Sequence, residues 1–182
     1  MPLYIALFRG INVGGSNSLP MNDLVQILSD IGAKEIRTYL QSGNAVFSST
    51  ESDIGLLAEK ICRQVEIRKG FLLKVLILTL EEFEQAIAEN PYPQHTDDPS
   101  SLHLGFLAAP LISADMKKLS SLQSKNEEFT LTPKVFYFYA PDGVGRSRLA
   151  AGVEKVLGVT MTDRNWRTVC KIRDLTKDFL GQ

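Results

Sequence analysis

The same order of apolar patterns runs twice along this chain, on either side of a proline-rich stretch. That repetition restricts the fold more than any other feature. Leu3–Phe8 is an unbroken apolar run and reads as a buried strand. A helix is predicted over 21–32, with Met21, Leu24, Val25, Leu28 and Ile31 on one face and Gly32 ending it. Glu35–Leu40 and Asn44–Phe47 read as two strands, with turn chemistry at Gln41–Gly43 between them. A long helix over 53–69 carries the stripe Ile54, Leu57, Ala58, Ile61 and Val65, and Phe71–Leu78 reads as the closing strand. This βαββαβ order is the signature of a ferredoxin-like unit.

Thr79 with Glu82 three residues on forms a capping box that opens a further helix, ending at Asn90–Pro91. Pro91–Pro99, with its three prolines and two adjacent aspartates, reads as a linker. The pattern then returns. A strand is expected at 101–108, a helix at 113–122 capped by Ser113, and a hairpin of 127–131 with 134–139 around Thr132–Pro133. A helix from Arg148 to Leu157 completes βαββα, and a last helix over 165–179 has no counterpart in the first half. The expected class is α+β: two ferredoxin-like subdomains with antiparallel sheets and extra helices at the linker and the C-terminus. Their expected bounds are 1–90 and 100–182. A chain of 182 residues is long enough for one large domain or two small ones.

The formal net charge of −1 argues against a duplex nucleic-acid binder working by bulk electrostatics. Residues 1–133 hold eleven Lys/Arg against sixteen Asp/Glu, and residues 134–182 hold nine against five, so the C-terminal quarter is mildly basic. Cys62 and Cys170 do not make a disulfide framework, and reduced thiols fit the cytoplasm. Neither a signal-peptide pattern nor an apolar run of membrane length is present, so no membrane association is expected.

Three loops gather polar residues. The first, Arg9–Ser18, follows the apolar strand; it is neither a Walker loop nor a dinucleotide fingerprint, because the spacing is wrong for both. Its glycines, Gly14 and Gly15 among them, suit an anion nest. They suit equally a long turn in which Asn12 and Asn17 cap the backbone. The second loop is Gln41–Asn44, which hairpin chemistry accounts for by itself. The third combines Gly143–Arg148 with Thr160–Thr168. Here Ser147 and Arg148 stand at a helix N-terminus suited to phosphate or carboxylate, while Arg164, Asn165 and Trp166 are placed at the start of the last helix. Thr162 or Asp163 is the expected cap of that helix. His95 and His103 are the only histidines, one in the linker and one in a strand, so no metal site is expected. No Ser–His or Cys–His pair has a plausible local context, and Asp163 is the one local candidate for a base.

The strings Leu7–Gly15, Pro20–Met21, Arg37–Asn44 and Val46–Phe47, followed by Gly145–Ser147 and Arg164–Trp166, resemble a bacterial family known only as domain of unknown function 1697. The resemblance runs nearly end to end. It implies two ferredoxin-like subdomains, in agreement with the strand order, and it implies no substrate, cofactor or catalytic residue. Members of that family often carry Lys where this chain has Arg148.

The residues therefore point first to a cytoplasmic protein binding an anionic or phosphorylated ligand, a small molecule or nucleotide, at loops 9–18 and 145–168. Arg9, Arg148 and Arg164 are expected to hold the anion. Asn12, Asn44, Ser147 and Asn165 would orient it, while Gly14 and Gly15 admit close approach. Nucleic acid is the less favoured partner, and no cofactor is expected. Two alternatives stand beside this. One is a transferase or hydrolase working by electrostatic stabilisation. The other is a structural or homo-oligomeric module whose loops only join the two halves.

Overall fold

The computed structural model describes residues 1–180; residues 181 and 182 of the expected second subdomain lie outside the described residues. The chain divides into two units. The first holds residues 1–85 and the C-terminal helix from Lys171 onward, and the second holds Ala86–Cys170.

In the first unit, β1 (Leu3–Arg9), β2 (Lys34–Thr38), β3 (Asn44–Ser48) and β4 (Lys74–Thr79) form an antiparallel sheet in the order β2-β3-β1-β4. Helices α1 (Met21–Asp30) and α2 (Ile54–Lys69) cover one face. Tyr4, Ala6 and Phe8 of β1 meet Leu24, Ile27 and Leu28 of α1 and Leu57, Ile61 and Val65 of α2 in one core. The alternate residues Ile5 and Leu7, with Val46 of β3, face the other way and are also fully buried. Asp53 caps α2 by accepting the Leu56 N–H at 3.0 Å, and Gly70, at φ +74°, ends it in the left-handed conformation. Cys62 is half-buried and packs against this core. Its Sγ donates to the Leu73 carbonyl at 3.4 Å, and burial pushes the thiol pKa up.

The second unit repeats the design in full. Strands β5 (Leu102–Leu107), β6 (Glu128–Leu131), β7 (Val135–Tyr139) and β8 (Met161–Asn165) are ordered β6-β7-β5-β8. Helices α4 (Met116–Leu122) and α5 (Arg148–Leu157) pack on the face carrying Leu107, Phe136 and Phe138. The expected βαββα is therefore a complete βαββαβ. Residues 161–165, read as the entry to the last helix, are its edge strand. The misreading has a physical source: Met-Thr-Asp-Arg-Asn shows no apolar alternation, because an edge strand needs little apolar surface. Neither Thr162 nor Asp163 caps the final helix, and Ser113 does not cap α4. Asp115 does, accepting the Lys118 N–H at 2.9 Å.

Two further helices follow their edge strands with no intervening residue: α3 (Leu80–Ala88) after β4, and α6 (Trp166–Leu180) after β8. The last helix thus has a counterpart, α3. At the first corner Thr79 ends β4 and also caps α3: the Glu82 N–H donates to its Oγ1 and its own N–H donates to Glu82 Oε2, both at 3.1 Å. The proline-rich stretch falls within the second unit and is packed onto its sheet. His95 stacks on Tyr139, centroids 3.6 Å apart, and its Nε2 lies 2.6 Å from Glu128 Oε1. Tyr92 and Thr130 share a hydroxyl hydrogen bond at 2.9 Å.

One glycine in the first unit is fixed by both conformation and space. Gly43 has φ +86°, and a Cβ there would lie 2.5 Å from Ile11 Cδ1 and 2.7 Å from Phe8 Cβ. Gly43→Ala is expected to lower stability by about 2–4 kcal/mol, the sum of backbone strain and overpacking. Urea unfolding followed by circular dichroism measures it; a change within error would show that loop 9–18 yields freely.

Candidate functional site

The glycine loop is a small hairpin with a locked base. The Ser16 N–H donates to the Val13 carbonyl at 3.1 Å across Gly14 and Gly15, whose φ values are +60° and +77°. Two successive positive φ angles in a two-residue connection are those of a type I′ turn, which explains the glycine pair by conformation alone. Below it the Asn12 N–H donates to the Asn17 carbonyl at 3.1 Å. Asn12 itself sits at φ +54°, a region asparagine tolerates better than most residues. Its Nδ2 donates to Leu19 O at 2.8 Å and Gln41 O at 2.7 Å, and its Oδ1 accepts the Leu19 N–H at 2.7 Å. Asn17 Nδ2 donates to Gly10 O at 3.0 Å. Space beyond the Cα atoms of Gly14 and Gly15 is open, and Val13 beside them is exposed.

Asn12 thus joins the first polar loop to the second. In the second, Asn44 is buried at the start of β3 and its Nδ2 donates to the Tyr39 carbonyl at 2.8 Å. The Phe8 N–H donates to Gly43 O at 3.0 Å, which fastens the turn to β1. Leu40 is held at φ +61°, a strained value for leucine, and is half exposed. Arg9 ends β1 opposite Lys74 of β4. By the alternation along β1 it lies on the face of Ile5 and Leu7, away from α1 and α2.

In the second unit Ser147 is buried and caps α5, its Oγ accepting the Ala150 N–H at 3.0 Å. Arg146 and Arg148 flank it, both exposed, and no carboxylate among the described residues pairs with either. Asn165 caps α6, accepting the Thr168 N–H on Oδ1 at 3.0 Å. Its neighbour Arg164 points to the other face of the sheet, because successive strand residues alternate. Arg164 is half-buried with its Nη1 donating to the Asp163 carbonyl at 2.8 Å. Burial pushes its guanidinium down to about 10, against the opposing pull of the Asp163 charge. The sequence treats Arg164 and Asn165 as one donor group, whereas the strand sends them to opposite sides.

One pairing escapes the sequence reading. Gly105 and Asp163 are register partners across β5 and β8, which brings the Asp163 carboxylate beside His103. His103 Nδ1 lies 2.8 Å from Asp163 Oδ2, and Nε2 lies 3.0 Å from the Ser100 carbonyl. With the carboxylate ionised both neighbours accept, an arrangement that favours the imidazolium form, in which both ring nitrogens donate. Burial alone lowers the His103 pKa, but the hydrogen bond to Asp163, its charge and the Ser100 carbonyl outweigh it, and the net shift is upward. A ring bonded in this way has no lone pair to take a proton. The pair is a clamp between β5 and β8, and Asp163, the sequence's candidate base, is half of it. Only the strand register reveals it, since the two residues are 60 positions apart. Among the described residues no three His, Cys, Asp or Glu side chains gather as a metal site.

Asn12→Ala is expected to lower stability by about 2–4 kcal/mol, because Leu19 and Gln41 keep polar groups that lose their partner; denaturant midpoints test this. The clamp sets a pH dependence of definite sign. A raised folded pKa makes its contribution complete below the ordinary histidine value of about 6.5 and lost as pH rises through the higher folded value. Midpoints measured from pH 5.5 upward should therefore fall on the alkaline side, and Asp163→Asn should flatten that fall.

The sequence profile of a family described as protein of unknown function, DUF1697, matches residues 1–137. A solved structure titled as that of the conserved bacterial protein SP0830 from Streptococcus pneumoniae is similar to this chain at 26% identity. It superposes with a TM-score of 0.72, covering 96% of this chain and 98% of the other. No curated protein matches.

Proposed function

The chain belongs to the DUF1697 family, and we propose that it is a binding protein for an anionic or phosphorylated ligand. The observation that carries this reading is the entry to α5. Arg146 and Arg148 stand exposed on either side of the capping Ser147, and no carboxylate among the described residues pairs with them. There the first amides of the helix and two planar guanidinium forks offer donors to an anion. In the first unit the exposed crown of the glycine hairpin is open backbone of its own. A small molecule or nucleotide fits the near-neutral overall charge better than a long nucleic acid does. Among the described residues no helix is long and apolar enough to cross a membrane, and the two cysteines form no disulfide; the cytoplasm is the compartment we propose.

A specific observation favours a second reading for part of the candidate set. Asn12, Asn44, Ser147 and Asn165 are engaged in hydrogen bonds within their own units, so these four act as internal fasteners. A transferase or hydrolase would need a base, and the doubly bonded His103 is not one.

A thermal-shift panel of inorganic phosphate, nucleotides and sugar phosphates tests the reading. At about a hundredfold excess over Kd a ligand should stabilise by roughly 2.7 kcal/mol and raise Tm by roughly 5–10 °C. The Arg146→Ala, Arg148→Ala double variant should abolish the rise without lowering the ligand-free Tm. A panel that shifts nothing, or a shift the double variant retains, overturns it.

A further inference from the structure

We propose that the groove between α4 and α5 docks an acidic amphipathic helix of a partner protein. The groove encloses about 380 Å³ and is lined by Asp115, Lys118 and Leu122 on one side and Gly152, Lys155 and Val156 on the other. Its floor follows from one residue. A Cβ on Gly152 would lie 2.8 Å from Leu122 Cδ1, so the glycine lets the helices touch at the base while Leu122 and Val156 form apolar walls above. The rim is cationic: Lys118 stands on α4 and Lys155 on α5, both exposed. Asp115, the one acid in the lining, caps α4 and leaves the two lysines in excess over it. The acid on α5, Glu154, accepts the Met161 N–H at 2.6 Å.

The first unit, built on the same topology, supplies the comparison. There two cations at the end of α2 are matched by acids of α1: Arg68 pairs with Asp30 and Lys69 with Asp23. In the second unit no carboxylate among the described residues pairs with Lys118 or Lys155. Two unmatched cations over an apolar floor complement a ridge that is apolar along its middle and acidic along its flanks, which is the surface of an acidic amphipathic helix. A phosphate or sugar phosphate would leave the floor uncovered. A second copy docked face to face would set lysine against lysine. The coil before α4 and Met116 of its first turn line a separate hollow of about 250 Å³, in whose lining Ile112 is fully exposed and offers an apolar anchor outside the groove. This inference is separate from the anion reading, whose arginines lie at the entry to α5.

The test is a displayed library of helical peptides with glutamates fixed on the flanks and the apolar face varied, sorted against the full chain. Selected peptides are then measured by fluorescence anisotropy. Binders should emerge, and serine in place of leucine on their apolar face should abolish binding. Lys118→Glu with Lys155→Glu should weaken them roughly tenfold or more, with a steep salt dependence. Both lysines are exposed, so an unchanged Tm and circular dichroism spectrum will show that this variant is folded. Arg146→Ala with Arg148→Ala should leave peptide binding intact even where it removes phosphate stabilisation, which separates the two readings. Four results would overturn the proposal: no enriched peptide, peptides indifferent to the lysine reversals, an RNA oligonucleotide that binds through the same two lysines in preference to every peptide, or a homodimer in sedimentation that the reversals dissolve.

Discussion

Burial of β1 on both faces is the constraint from which the rest of the first unit follows. Tyr4 to Phe8 are all excluded from solvent, so polar side chains have no place along the strand and every backbone group must find its partner in β3 or β4. The second unit buries β5 in the same way from Leu102 to Leu107, and the one polar side chain it admits, His103, is partnered by Asp163 and the Ser100 carbonyl. A central strand of this kind forces irregular chemistry to its ends, which is where the polar loops gather. It also sets their character. A loop leaving a fully buried strand must satisfy its own backbone quickly, and Asn12, Asn17 and Asn44 do so by taking the positions of missing backbone partners.

That division of labour decides how much could be read from the residues. Core strands and helices announce themselves, because burial on two faces gives an unbroken apolar run and burial on one gives a stripe. Leu3–Phe8 and the stripe from Ile54 to Val65 were legible for this reason, as was the Thr79–Glu82 box. Edge strand β8 was not, since Met161–Asn165 presents neither pattern and lies where a helix is about to begin. Ser113 and Asp115 are both competent caps two residues apart, and only the path of the preceding coil selects the second.

The candidate site was legible as a composition and not as a geometry. Sequence shows that Asn, Ser and Arg cluster; it does not show which are already occupied. Four of the polar candidates turn out to hold their own backbone, whereas Arg148 remains available at the surface. The His103–Asp163 clamp was illegible because it depends on strand order and register, and β8 had first to be recognised as a strand. The groove between α4 and α5 is a case of the same kind. Its lysines look like ordinary solvated charge until they are set against Arg68 and Lys69 of α2, which acids of α1 match.

The corners at Thr79 and Asn165 have a mechanical meaning. Where a strand becomes a helix without a single spare residue, the junction carries no slack, and tension on the helix passes straight into the ladder of hydrogen bonds beside it. In both units that ladder belongs to an outer strand held on one side alone, β4 by β1 and β8 by β5. Under pulling force each unit would begin to open along that seam, with the rest of its sheet still closed.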